Sequence, residues 1–392
     1  MTKTADVVVI GGGVNGVSAA YHLAGHGVKN VVLVEKDHIA SGPTGLSSGI
    51  VRQHYTLETL SKMARDSVRV FQNFKEIIGG DAGFVRCGVA FLGSAESATV
   101  LRETVEMHRR IGIEEQLLAP DQLRELEPAL SLDDVAYGAY ETGGGYADPS
   151  LTANSFCAAA VREGVEVLRG TEVRDIEVEG GRVRCVVTSG DTIATEAVVN
   201  VAGPWGARVA GMVGAEIPIA PSRHPVLVLE RAPSWRSPTL VWGDLVTGWY
   251  FKPEGQHGIM VGCLSEIEKD RNVDIDGYAA KVQPDETLRY AEAIVHRFPI
   301  MLEGRATASW AGLYDVTPDG LPVIDAVPGV AGFYCAVGFS GHGFKTAPAV
   351  GRIVAELVTT GRSQTYDIAL FRYGRFEEKK LEHSRYAYHI IG

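Results

Sequence analysis

Gly11, Gly13 and Gly16 stand at the spacing G-x-G-x-x-G, directly behind the apolar run Val7-Val8-Val9-Ile10. After them Val17 to His26 carries Ala19, Ala20 and Leu23 on one helical face, and a second apolar run from Val31 ends in Glu35 and Lys36. Strand, turn, helix, strand and acid in this order make a dinucleotide-binding unit. Gly11 permits the turn, Gly13 lets a pyrophosphate approach the backbone, and Gly16 lets helix and strand pack closely. The helix, opening at Val14 and Asn15, turns unpaired N–H groups and its positive end toward phosphates, while Glu35 can accept both ribose hydroxyls. These residues describe a site for an ADP moiety and leave nicotinamide and flavin cofactors both open.

Chemistry for the rest of such a cofactor appears near the other end of the chain, in Gly338-Phe339-Ser340-Gly341-His342-Gly343-Phe344-Lys345. The glycines let backbone come close to a planar ring just before a helix N-terminus, an arrangement that stabilises the anion of a reduced flavin. Only one dinucleotide fingerprint is present, since Gly143-Gly144-Gly145 lacks the strand and helix context, so a bound flavin is a better reading than hydride passed between two nucleotides. Arg52 and Lys345 flank the two glycine-rich loops. An isolated cation is usually solvated, but if both loops wall one ring, guanidinium and ammonium converge over its face as a carboxylate clamp. His342, Tyr55 and Tyr250 are further candidates, each able to act in the chemistry or simply to satisfy a hydrogen bond.

These groups need elements to hold them. The loop Ala40 to Gly49, with Ser41, Thr44, Ser47 and Ser48, is a candidate second wall. Leu57 to Ile78 has a helical period and stops at Gly79-Gly80. From Phe84 the pattern changes to a strand at Cys87 to Gly93, helices at Glu96 to Gly112 and Pro120 to Glu127, and an alternating run from Val135 to Tyr140, together an insertion outside the dinucleotide fold. Leu151 to Glu163 returns to helix. Strands follow at Val165 to Leu168, Glu172 to Val178, Arg182 to Thr188 and Thr195 to Val201, the last running into Ala202-Gly203-Pro204-Trp205. A second excursion, from about Pro218 to Trp310, has strands at Val226 to Leu229, Trp249 to Phe251 and Ile259 to Val261 and a helix at Pro284 to Phe298. Its Trp242, Trp249 and Tyr250 read as sheet packing before pocket lining. The chain returns through Leu321 to Asp325, a strand at Gly332 to Gly338 and a helix at Lys345 to Val358; the segment from Phe371 onward has no readable role. The predicted class is α/β, α+β overall: a Rossmann-like domain built from discontinuous segments plus an antiparallel-sheet domain.

At 392 residues and 45% hydrophobic content the chain can bury a large core in two or three domains. Its 37 Lys plus Arg against 48 Asp plus Glu, a net charge of -11, argue against nucleic acid or an anionic membrane as partner. No apolar run approaches transmembrane length, and the apolar Val7 to Ile10 is used as a strand, leaving no cleavable signal. Cys87, Cys157, Cys185, Cys263 and Cys335 are widely spaced, odd in number and lack a C-x-x-C pair. That disfavours a disulfide framework and a metal site and predicts a reducing, cytoplasmic setting.

The opening motif through Glu35, the segment Ile50-Val51-Arg52-Gln53-His54-Tyr55, the Val201 to Trp205 turn and above all Gly338 to Lys345 resemble the D-amino-acid-oxidase-like flavoproteins, in particular the sarcosine oxidase, dimethylglycine dehydrogenase and glycine oxidase branch. The resemblance spans essentially the whole chain. It implies an FAD domain from 1–83, 146–217 and 314–375, a substrate domain from 84–145 and 218–313, and a tail over 376–392. It implies cofactor contacts from Gly11, Gly13, Val14, Asn15, Gly16, Glu35, Lys36, Ser41, Thr44, Ser47, Ser48, Gly49, Val173, Ala202, Gly203, Trp205, Gly312, Gly338, Ser340, Gly341, His342, Gly343, Phe344 and Lys345. Arg52 and Lys345 would hold the substrate carboxylate with Tyr250 and His342 nearby, while the amine C–H delivers hydride to flavin N5 and the imine hydrolyses. The implied substrates are N-methyl amino acids, glycine or cyclic imino acids, with O2 or another acceptor, in a homo-oligomer or as a subunit of a larger oxidoreductase. Some relatives tether the flavin through a cysteine where Gly312 stands, others through a histidine near Leu46; neither residue here can form the bond, so the FAD is expected to be non-covalent. Met260 stands where monomeric sarcosine oxidases carry a lysine that promotes reaction with oxygen, which makes transfer to another acceptor credible. The alternatives are a flavin-carrying subunit with little activity alone and, on the fingerprint by itself, an NAD-dependent dehydrogenase.

Overall fold

The computed structural model describes residues 3–236, 240–265, 270–386 and 388, so part of the expected tail lies outside the described residues. Val7–Ile10 is buried along its whole length within a six-stranded sheet, in the order Val323–Ala326, Phe333–Val337, Val198–Asn200, Val7–Ile10, Val31–Val34, Glu166–Leu168. All neighbours are parallel except the first pair. An apolar run without alternation requires cover on both faces, and a parallel sheet supplies it. Val7 and Val9 face the helices Val14–Gly25, Glu58–Gln72, Pro149–Arg162 and Gly343–Thr360, while Val8 and Ile10 face a smaller sheet of Lys3–Thr4, Thr192–Ala194, Arg182–Thr188 and Val173–Glu179. Gly351, whose Cβ would come 2.3 Å from Ser18 Oγ, lets Gly343–Thr360 cross Val14–Gly25 closely, and Ser18 Oγ donates to the Ala347 carbonyl at 2.8 Å.

The second layer is an eight-stranded sheet in the order Arg305–Val316, Ala220–Glu230, Gly258–Cys263, Trp249–Glu254, Val241–Asp244, Val89–Gly93, Tyr137–Glu141, Glu115–Leu118. It is antiparallel except where Val241–Asp244 meets Val89–Gly93. Here the side chains alternate. Leu227, Leu229, Phe251, Ile259 and Val261 pack with Tyr290 and Ile294 of the helix Pro284–Arg297, and Val226, Val228, Tyr250 and Met260 turn to the opposite face with Ile50. No helix among the described residues is long and apolar enough to cross a membrane.

Three departures from the sequence reading have local causes. The expected strand Thr195 to Val201 is shorter, Val198–Asn200, because residues 195–197 turn from Thr192–Ala194 of the smaller sheet into it: Thr195 Oγ1 accepts from Ala197 N at 3.3 Å and donates to Ala197 O at 3.0 Å. The expected long helix breaks into Glu58–Gln72 and Phe74–Ile77 at Asn73, whose amide donates to the Arg69 carbonyl at 2.8 Å. Strands Glu115–Leu118, Val241–Asp244 and Arg305–Val316 carry little sequence signal. The first begins with a buried glutamate, the second is short and contains glycine, and the third starts in exposed residues.

Candidate active site

A cleft of about 360 Å³ runs along the carboxyl ends of the parallel strands. Gly11, Gly13, Val14, Asn15, Glu35, Lys36, Ser41, Thr44, Ser47, Ser48, Val173, Ala202, Gly203, Trp205, Gly341, Gly343, Phe344 and Lys345 all line it. The sequence placed these residues on separate loops; the sheet brings those loops to one edge. Gly11 takes φ +117°, and Glu35 accepts from Gly12 N at 2.6 Å and from Asp37 N at 2.8 Å, which fixes the carboxylate beside the turn. Thr44 Oγ1 accepts from Val14 N at 3.0 Å and pins the small-residue loop to the helix start.

Six expected cofactor residues lie behind this wall instead of on it. Gly16 is needed because a Cβ there would sit 1.9 Å from Gly11 O, and Gly49, at φ +67°, because a Cβ would meet Ala147 O at 2.2 Å. Gly338, at φ +76°, backs onto Thr317, and Ser340, at φ +49°, accepts from Thr317 N at 3.2 Å. His342 is buried with its ring edge on Tyr55, 5.4 Å between centroids. Gly312 faces Leu46, 3.2 Å from a built Cβ to Leu46 Cβ, so the two positions adjoin each other and neither carries a nucleophile.

Several cleft residues had no sequence signal. Asp276, from the second excursion, accepts from Trp205 Nε1 at 2.8 Å and Arg208 Nη2 at 2.7 Å, while Lys36 Nζ lies 3.5 Å over the Trp205 ring. Those two donors hold the Asp276 carboxyl below its ordinary range. At the other end Asp315 accepts from Gly338 N at 2.7 Å; burial pushes its carboxyl up to about 6 against the backbone donors of Phe339 and Gly338. Asp315 comes from the strand Arg305–Val316 and Asp276 from a turn before the helix Pro284–Arg297, and periodicity places neither of them.

A smaller chamber of about 50 Å³ adjoins the cleft, sharing Ser48, Ile50, Tyr314, Gly341 and Lys345 with it. Its other walls are Arg52, Val89, Phe91, Val241, Trp242, Gly243, Tyr250 and Leu264. Cross-strand glycines make room for the aromatics: a Cβ on Gly262 would fall 2.0 Å from the Tyr250 ring and one on Gly243 2.4 Å from Phe91. Trp242 is both core and chamber wall, whereas Trp249 stacks edge-on against Tyr290 at 4.7 Å. Arg52 and Lys345 therefore do share one small space, as a clamp requires. The Arg52 guanidinium lies 4.1 Å over the Tyr55 ring and donates to the His54 carbonyl. Lys345 Nζ donates to Gly341 O at 3.2 Å, and burial followed by the charge of Arg52 drives its ammonium well below its ordinary pKa. Tyr250 is pushed well above the usual phenol value by burial, and Ser48 is its hydrogen-bond partner.

Behind Arg52 sits a buried polar cluster. Glu115 accepts from His54 Nδ1 and His108 Nδ1, both at 2.6 Å, and Tyr386 Oη lies 2.7 Å from His54 Nε2. Burial alone would raise the Glu115 carboxyl, but the two imidazoles take it down to about 2. Glu141 accepts from Gln53 N at 2.9 Å, and burial, then the charge of Glu115, raises it to about 8. The His54, His108 and Glu115 ligating atoms all lie within 4.8 Å of one another, but the rings and carboxylate are already bonded to each other and to Tyr386, Ser61 and Tyr55, which suits a hydrogen-bond network.

The cleft fits a dinucleotide by the chain's own features. Asn15 Oδ1 is buried on its wall with no hydrogen-bond partner, and Gly12 has no room for a Cβ, which would meet Glu35 at 2.8 Å. Among known proteins the chain is 31% identical to FAD-dependent oxidoreductase domain-containing protein 1 of Xenopus laevis, over 97% of this chain and 84% of that one. It is 29% identical to sarcosine oxidase subunit beta of Rhizobium meliloti, over 95% of this chain and 88% of that protein. Its fold superposes on L-proline dehydrogenase from P. horikoshii with a TM-score of 0.89 and 28% identity, covering 97% of this chain and all of that one. The family model for FAD dependent oxidoreductases matches residues 6–357, so the chain belongs to the FAD-dependent oxidoreductase family.

Proposed function

We propose that this flavoenzyme oxidises the C–N bond of a small amine bearing a carboxylate, such as an N-methyl amino acid, glycine or a proline-like imino acid. The observation that carries the reading is the chamber: Arg52 and Lys345 converge in an aromatic-walled space of about 50 Å³ adjoining the dinucleotide cleft at Gly341 and Lys345. Two cations against one small apolar cavity call for an anion, and a bound carboxylate supplies it while returning the Lys345 proton. Phe91, Trp242 and Tyr250 then exclude water from the amine end and hold the C–N bond toward the cleft. FAD, when bound, accepts the two electrons removed as the amine becomes an imine, and water hydrolyses the imine. Sarcosine and L-proline, named for two of the related proteins, are both small carboxylate-bearing secondary amines.

With Gly312 and Leu46 at the tethering positions, the cofactor is held without a covalent bond, and acid precipitation leaves its colour in the supernatant. The same reading gives residues 1–83, 146–217 and 314–375 to the FAD domain and 84–145 and 218–313 to the substrate domain. A cytoplasmic setting belongs to it too, resting on five free thiols. The decisive experiment is anaerobic addition of N-methyl amino acids, proline analogues, glycine and D-amino acids to the holoprotein, followed by air. Bleaching of the flavin by one of them supports the reading, failure across the panel sinks it, and the rate of recolouring in air tells O2 from another acceptor. Similarity to a sarcosine oxidase subunit favours a second reading, a flavin-carrying subunit whose turnover needs partner chains; co-purifying subunits and no bleaching of the isolated chain would mark it.

A further inference from the structure

The segment leading to Tyr386 is far from Arg52 in sequence and reaches the same site. Arg385 pairs with Glu103 and its backbone N–H donates to Thr56 Oγ1 at 3.1 Å, which delivers Tyr386 against the chamber's outer wall. Tyr386 is 7% exposed and belongs to the apolar cluster that includes Phe91, Tyr250 and Leu264. Its ring stacks on His54 at 5.7 Å, and Phe91 stacks on His54 at 4.6 Å. Its hydroxyl lies 2.7 Å from His54 Nε2, opposite the Nδ1 held by Glu115.

We propose that Tyr386 is a positioning residue for substrate: its hydroxyl fixes the His54 ring, and the His54 carbonyl in turn fixes the Arg52 guanidinium that receives the carboxylate. The structure supports each link. Residues 53 to 55 are anchored one by one, Gln53 to Glu141, His54 to Glu115 and Tyr386, and the Tyr55 carbonyl to His108 Nε2 at 2.9 Å. Arg52 is seated on the product of those anchors, the His54 carbonyl and the Tyr55 ring. With His54 Nδ1 donating to the Glu115 carboxylate, Nε2 is the acceptor and the Tyr386 hydroxyl the donor. Burial holds the His54 pKa down, which favours this neutral tautomer. Glu115 and Arg52 are the charged groups facing the ring, with His108 beside it. Removing the hydroxyl leaves a buried ring nitrogen without its donor, and the ring and its carbonyl shift to find another.

The inference rests on the carboxylate clamp proposed above, so its test uses a carboxylate that cannot be oxidised. Propionate is titrated into the FAD-loaded wild type and Tyr386→Phe, read by the change in flavin absorbance, with propionamide as the uncharged match. The expected result is propionate binding about tenfold weaker in Tyr386→Phe, a change in KM and not in kcat for any amine turned over, and an unaltered response to propionamide. Equal propionate affinity in the two proteins overturns the role of Tyr386, even if the variant melts earlier. No propionate binding by the wild type overturns the clamp, and the role of Tyr386 with it. A chain ended after Ser384 that keeps its flavin is the second variant; it must lose at least as much affinity as Tyr386→Phe, and wild-type binding by it also overturns the proposal.

Discussion

The glycine-turn end of the cleft and the chamber beside it are built by opposite means. The glycine-turn end is local and made mostly of backbone: Gly11, Gly13 and Gly16 shape a turn, and Glu35 is placed by the next strand. The chamber is assembled from side chains of distant segments, Arg52, Phe91, Val241, Tyr250 and Lys345, and it concentrates buried charge. Backbone geometry tolerates no added atom but is insensitive to pH; buried charge is sensitive to pH and tolerates shape changes better. Each half should therefore fail in its own way.

The sharpest break is expected at Gly16→Ala. Its Cβ would stand 1.9 Å from Gly11 O, backbone against backbone, where no side chain can yield. The turn must open, and bound FAD per protein, read from the ratio of visible to ultraviolet absorbance, should fall by roughly tenfold or more. A fully loaded Gly16→Ala protein would show that the turn is not the anchor.

The chamber should instead respond to protons. The Lys345 pKa lies well below its ordinary value, so the free site gives up its ammonium more readily than an exposed lysine, while a bound anion favours keeping it. Counted per ionised propionate, affinity should then be highest below that depressed pKa and weaken as pH rises through it, by up to about tenfold per unit. In Lys345→Met the affinity is low throughout and the slope is gone. A flat wild-type profile would mean that Lys345 does not hold the carboxylate.

The smallest effect separates support from contact. Glu141 has its folded pKa raised to about 8, so its protonated form is the one the fold prefers. The stability it contributes is fully present below the unfolded pKa near 4.5, declines as pH rises and is gone once pH passes about 8. Glu141→Gln, uncharged at every pH, should match the wild type's thermal midpoint near pH 5 within a few degrees and exceed it above pH 8. Parallel midpoints for both proteins would place the proton elsewhere.

How much of this was readable follows the same division. The parallel strands, the glycine turns and the helix after Gly343 follow from runs and periods a few residues long, and the cleft loops were named residue by residue. Gly16, Gly49, Gly312, Gly338, Ser340 and His342, expected at the cofactor, do not line the cleft, because a motif marks where backbone must be tight without saying which face of it borders open space. Asp276, Asp315, Glu115, His108 and Tyr386 had no signal. Each is one polar residue in an ordinary segment, and its meaning comes from a partner in another segment, such as Tyr386 with His54.

The sequence by itself thus determined the glycine-turn half of the cleft, because glycine conformation, strand burial and helix N-termini act between near neighbours in the chain. It also supplied Arg52 and Lys345 as a possible pair. Only the tertiary structure decided that they share a chamber, that aromatics over Gly243 and Gly262 keep that chamber small, and that a buried network ending at Tyr386 holds its floor. Desolvation and charge coupling depend on distances through space, and those exist only once the two sheets have packed.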